Sequence, residues 1–136
     1  MEIFQIDKDI RVFYVPASSF PEGVKEAFEK LHALVPFTST RKFFGLSQMD
    51  SDGRIQYKAA VEEVTPGEGA DLGCESLVLK NGRYLTLTIQ NFMKDIPAIG
   101  RAFQELLQQP GIDLNGYCVE WYFNDDDVKC MIRLEE

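Results

Sequence analysis

A single glutamate, Glu120, lies inside an apolar and aromatic run, with Val119 and Trp121 on either side and Tyr122 and Phe123 following. Read as a strand, the run alternates its side chains, so Val119, Trp121 and Phe123 share one face while Cys118, Glu120 and Tyr122 share the other. A carboxylate beside a phenol supports two kinds of chemistry. Facing a cavity, it can complement a cationic ligand, or serve as a general acid or base while the phenol orients a leaving group or water. Facing water, it is an ordinary solvated strand residue. The run by itself leaves both facings open.

Four more residues are candidates for the wall of such a cavity. Phe20 and Phe92 each precede a helical segment. Met49 aligns with Tyr122 in an internal repeat described below, and Trp121 neighbours the glutamate although parity turns it the other way. Core packing is the plainer role for all four, since large apolar side chains are mostly buried.

Other chemistry-bearing residues do not assemble into a known pattern. His32 is the only histidine and reads as a surface or boundary residue of a helix, with no serine or cysteine partner evident. The Asp125 to Asp127 run lacks the alternating ligands and closing glutamate of a calcium loop. Gly67, Gly69 and Gly73 are not followed by the Lys-Ser or Lys-Thr of a phosphate-binding loop. Three cysteines, Cys74, Cys118 and Cys130, form neither a CxxC pair nor an even set, so reduced thiols are expected. No metal and no cofactor is implied.

The elements that must position Glu120 follow from periodicity. Residues 1–17 read as two short strands around Asp7-Lys8-Asp9. Residues 18–35 carry Val24, Ala27, Phe28, Leu31, Leu34 and Val35 at helical spacing behind a serine cap, and Pro36 ends that helix. Residues 41–49 and 54–64 are strands joined by the Asp50-Ser-Asp-Gly53 turn. Residues 65–73, rich in glycine and proline, read as a loop. A strand, an Asn81-Gly82 hairpin turn and a second strand fill 75–89. A helix over 95–109, with Asp95 placed to cap and Pro97 in its first turn, precedes a closing hairpin over Asn124 to Asp127.

The two halves repeat this order. A shift of 73 residues lays the 117–136 segment on 44–63 without a gap, placing Glu120 on Ser47 and Tyr122 on Met49. The expectation is one α+β domain over 1–136: repeat one over about 1–64, a loop over 65–73, and repeat two over about 74–136, with both main helices on one antiparallel sheet. The carboxylate belongs to one repeat only.

Composition narrows the partners. The formal charge is −8, from 14 basic and 22 acidic residues, which disfavours a phosphate-backbone partner and favours cationic ligands or basic protein surfaces. Apolar runs are too short to cross a bilayer, and the acidic N-terminus is unlike a secretory leader, so a cytoplasmic protein is expected.

The residues Glu120-Trp-Tyr-Phe-Asn-Asp125, closing a duplicated strand-helix-strand-strand chain, resemble the C-terminal signature of the GyrI-like small-molecule-binding family. That resemblance implies a cleft between the repeats, lined by aromatic residues, with Glu120 facing cationic or aromatic ligands and Tyr122 beside it. The family includes effector-binding domains of multidrug-sensing transcription regulators, stand-alone binding proteins, a gyrase-protecting protein and hydrolases of cyclopropane-bearing toxins. No helix-turn-helix accompanies the domain, so a stand-alone binding module is expected. A hydrolase using Glu120 and Tyr122 is the enzymatic alternative, and an acidic protein-interaction module such as a gyrase-binding protein is the other.

Overall fold

The computed structural model describes residues 1–135. The strand that carries the glutamate, β7 (Cys118–Tyr122), lies in the middle of an eight-stranded sheet rather than at its edge. The other strands are β1 (Glu2–Ile6), β2 (Ile10–Pro16), β3 (Phe43–Met49), β4 (Ile55–Glu62), β5 (Glu75–Leu79), β6 (Gly82–Ile89) and β8 (Val128–Arg133). They run in the order β1-β6-β8-β7-β3-β4-β2-β5, and every neighbouring pair is antiparallel.

This order forces the sheet to curl. Strands β1 and β2 lie six positions apart, which in a flat sheet would separate them by about 29 Å, while the residues joining Ile6 to Ile10 reach at most about 14 Å. The link from β5 to β6 makes the same demand. Asn81 ties the two links together, donating from its backbone N–H and its Nδ2 to Asp9 Oδ1 at 2.8 and 2.9 Å. The inner face of the curl is a core to which every strand contributes, including Ile6, Val12, Phe44, Leu79, Val119 and Met131.

The outer face carries the two main helices. Helix α1 (Val24–Leu34) buries Ala27 and Leu31 against Phe13, Phe43, Ala59 and Val61. Helix α3 (Pro97–Leu106) buries Ala102, Phe103 and Leu106 against Val128, Cys130 and Ile132. The predicted α+β sheet with two helices on it is therefore the observed architecture, and no helix among the described residues is long and apolar enough to cross a membrane.

Several local expectations differ from the structure. Strands β5 and β6 do not form a hairpin: β5 pairs with β2 and β6 with β1 and β8, so Asn81-Gly82 turns the chain between opposite ends of the sheet. Helix α1 begins at Val24 with Gly23 at its N-cap and no side-chain cap. A Cβ on Gly23 would lie 2.8 Å from the Ser19 backbone, which accounts for a glycine at this cap, and the two serines precede the helix without capping it. The 65–73 loop contains a one-turn helix, α2 (Glu68–Asp71), held by Arg41 on Glu68 and by the Gly69 N–H on Glu63 Oε1 at 2.9 Å. Asp95 does not cap α3 with its side chain and pairs with Arg101 at 2.5 Å.

The repeat is visible in the strands. Glu2–Ile6 and Glu75–Leu79 are offset by 73 residues, as are the starts of β4 and β8. The β3–β7 register obeys the same offset, with Leu46 opposite Val119 at its centre. The first strand of each repeat has changed sides: β1 extends the sheet of repeat two, and β5 extends that of repeat one.

Candidate functional site

Between α1 and α3 the outer face of the sheet is left open as a cavity of about 980 Å³. Its floor is made by β3, β4 and β7, and one wall by α1 through Val24, Phe28 and His32. The opposite wall is a 3-10 turn (Phe92–Lys94) and the start of α3, through Phe92, Ile96 and Ile99. The acidic turn fixes that second wall. Asn124 Oδ1 accepts from the N–H groups of Asp126 and Asp127, whose own oxygens accept from Phe92 N–H and Asn91 N–H at 3.0 Å.

Glu120 lies on the floor with 7% of its surface exposed. Its Oε1 accepts from the Tyr57 hydroxyl at 2.8 Å and from the Tyr122 hydroxyl. Both phenols thus occupy one oxygen. Among the described residues no buried side-chain oxygen or nitrogen lacks a partner, and none donates to Oε2, so Oε2 opens onto the cavity that Glu120 lines. No salt bridge among the described residues reaches the carboxyl. Burial pushes Glu120 above the usual carboxylate value, and the two phenolic hydrogen bonds oppose that shift without reversing it. Burial and the neighbouring Glu120 charge raise both Tyr57 and Tyr122, which therefore stay protonated donors.

Gly45 makes this arrangement possible. It pairs directly with Glu120 across β3 and β7, and a Cβ there would fall 1.9 Å from the Tyr57 hydroxyl. Around the carboxyl the rings form a connected wall. Phe20 stacks on Tyr57 at 5.7 Å, Phe28 meets Tyr122 edge-on at 5.6 Å, and Phe92 meets Tyr122 at 5.3 Å. His32, a half-buried boundary residue of α1 as expected, lies 5.2 Å from Phe43 and beside Phe28 and lines the cavity.

Of the six residues singled out as ligand-facing, Glu120, Tyr122, Phe20 and Phe92 are brought together here. Met49 is not: the β3–β7 pairing ends at Ser47, so the last residue of β3 has only Ile55 beside it and is 66% exposed. Trp121 is not either. It points to the inner face, against Phe4 at 5.4 Å and under the Lys129 ammonium, as strand parity requires. Tyr57, Gly45 and Phe28 were not among the candidates. Nothing local marks Tyr57 or Gly45, because their role depends on which strands lie beside β7; Phe28 stood out only as part of an apolar stripe.

The cysteines are free, and register sets Cys118 opposite Ile132 and Cys130 opposite Glu120. Burial, then the nearby Glu120, pushes the Cys130 thiol up to about 12, so it is an inert packing group.

Solved proteins of low sequence identity share this fold. An integron cassette protein from the mobile metagenome of Vibrio cholerae aligns with a TM-score of 0.71 at 16% identity, over 98% of this chain and 95% of that one. SAV2435 bound to tetraphenylphosphonium aligns with a TM-score of 0.64 at 9% identity, over 97% and 93%. A candidate bacterial transcription regulation protein from Staphylococcus aureus MU50 gives 0.60 at 10% identity, over 97% of each chain. No protein-family model matches the sequence, and no curated protein matches it.

Proposed function

We propose that this chain is a small-molecule-binding module that takes up lipophilic aromatic cations between α1 and α3, acting as a sensor or sequestering protein of the GyrI-like kind. The observation that carries the reading is the carboxyl of Glu120, buried at the floor of an aromatic cavity with no cationic partner among the described residues. An unpaired buried charge is costly, and a ligand cation would supply the missing partner. At contact distance such a pair contributes up to about 4 kcal/mol at an effective dielectric near 20, and each desolvated aromatic face adds about 0.5 to 2 kcal/mol. The likeness in fold to a protein bound to tetraphenylphosphonium supports the same ligand class.

A thermal-shift titration with tetraphenylphosphonium tests it. Ligand at one hundred times its dissociation constant adds about 2.7 kcal/mol of stability, and Glu120→Gln should lose most of that gain. If no lipophilic compound of any charge raises the midpoint of the folded protein, the reading falls. A carboxyl of raised proton affinity touching a phenol also suits a general acid, so compounds that bind should be followed for turnover.

A further inference from the structure

We propose that the cleft takes a second class of ligand, uncharged aromatic molecules bearing a strong hydrogen-bond acceptor, because both phenols hold Oε1 and leave Oε2 to present an O–H to the ligand. This rests on the binding reading above and extends it from cations to neutral acceptors.

The geometry decides where a proton on Glu120 must be. Oε1 already accepts two hydrogen bonds, from Tyr57 and Tyr122, as the carbonyl oxygen of a carboxylic acid would. The acidic hydrogen then belongs on Oε2, the oxygen that opens onto the cavity. An empty cleft favours that form, because a buried carboxyl without a counter-charge neutralises rather than remain ionised.

Among the described residues no cationic side chain is paired with Glu120. Strands β4, β7 and β8 bring Tyr57, Tyr122, Cys118 and Cys130, all neutral groups held in their protonated forms by burial. Helix α1 brings His32, whose Nδ1 lies 3.3 Å from the Val35 carbonyl, and places Lys25 and Glu29 at the rim; Asp125 lies on the turn after β7. The α3 side contributes Ile96, Ile99 and Gly100, which cannot titrate.

Two binding modes follow, distinguished by a proton. A lipophilic cation pairs with the carboxylate, so the Oε2 proton leaves to solvent when it binds. A neutral acceptor accepts from the Oε2–H, so the proton stays. Cation affinity therefore falls about tenfold for each pH unit below the carboxyl's own value, while neutral-acceptor affinity falls by the same factor above it.

The test is calorimetric titration of the unmodified protein with tetraphenylphosphonium and with triphenylphosphine oxide, a neutral relative whose P=O is a strong acceptor. Each is run in phosphate and in Tris, which differ in ionisation enthalpy, across a pH series. Expected on the acid side are release of about one proton per bound cation, none per bound oxide, and opposite pH dependences. Glu120→Gln, whose amide can donate from the Oε2 position, should keep oxide binding but lose its pH dependence; Glu120→Leu should lose it altogether. Cation binding with no proton release at any pH, or with no oxide binding, overturns the inference and leaves the cation-binding reading standing. If neither compound binds, both fall.

Discussion

Gly45 sits directly across the strand pair from Glu120, and the space its missing side chain leaves is filled by the Tyr57 hydroxyl. The glycine is there for room rather than for backbone freedom. A methyl group at that position would fall 2.7 Å from Glu120 Oε1 and closer still to Tyr57, and would push the phenol off the carboxyl. Gly45→Ala should destabilise the protein by about 1 to 3 kcal/mol and weaken tetraphenylphosphonium binding. Unchanged urea midpoint and unchanged affinity together would mean that Tyr57 is not held by this packing.

Glu120 makes stability depend on pH in a direction opposite to a paired surface acid. Burial raises it above its usual 4.5 in the folded protein. Below that pH the carboxyl is protonated whether the chain is folded or not. Between 4.5 and the raised folded value only the unfolded chain releases its proton, so stability present at low pH is lost as pH rises through that window. The slope is at most about 1.4 kcal/mol per pH unit. Urea denaturation of the ligand-free protein from about pH 4 to about pH 8 should show Glu120→Gln gaining on the wild type as pH rises. A constant difference would show that the carboxyl titrates normally.

Trp121 offers a built-in control, because the only tryptophan lies on the inner face while the cavity is on the outer one. Trp121→Ala should cost about 2 kcal/mol of stability, since the ring is half-buried against Phe4, yet leave cation affinity within about threefold. The wavelength of its emission maximum should stay put as tetraphenylphosphonium fills the cleft. A large shift in that maximum would place the ligand on the other face of the sheet.

The exchange of first strands makes each repeat incomplete alone. Residues 1–73 lack β5, and residues 74–136 lack β1. Expressed separately, the two pieces should show no cooperative unfolding by circular dichroism, and on mixing they should recover the signal and the ligand-induced midpoint shift. Either piece melting cooperatively as a monomer would mean that the exchanged strand is dispensable.

Much of this arrangement could be read from the residues. The alternation at 118–123 correctly separates Glu120 and Tyr122 from Trp121, because side-chain parity is local to a strand. The repeat was legible because both halves keep the same order of elements at a nearly constant offset. Strand partners were not: the Asn81-Gly82 signal is local, but β5 finds β2 and β6 finds β1 and β8 through burial inside the curl. For the same reason the carboxyl's own environment was hidden. Tyr57 stands 63 residues away from Glu120 and Gly45 stands in the other repeat, so only tertiary register brings them together.

The pairing of Leu46 with Val119 marks the centre about which the two repeats are interchanged, and Ser47 and Glu120 are the next residues out from it. The place on β3 equivalent to that of Glu120 is held by Ser47, which is half-buried and does not line the cavity, so the two repeats differ at this point. A single carboxyl here requires the two repeats to differ, which a fused chain permits. Broken symmetry, more than the shape of the cleft, is what sets one buried carboxyl rather than two on this face of the sheet.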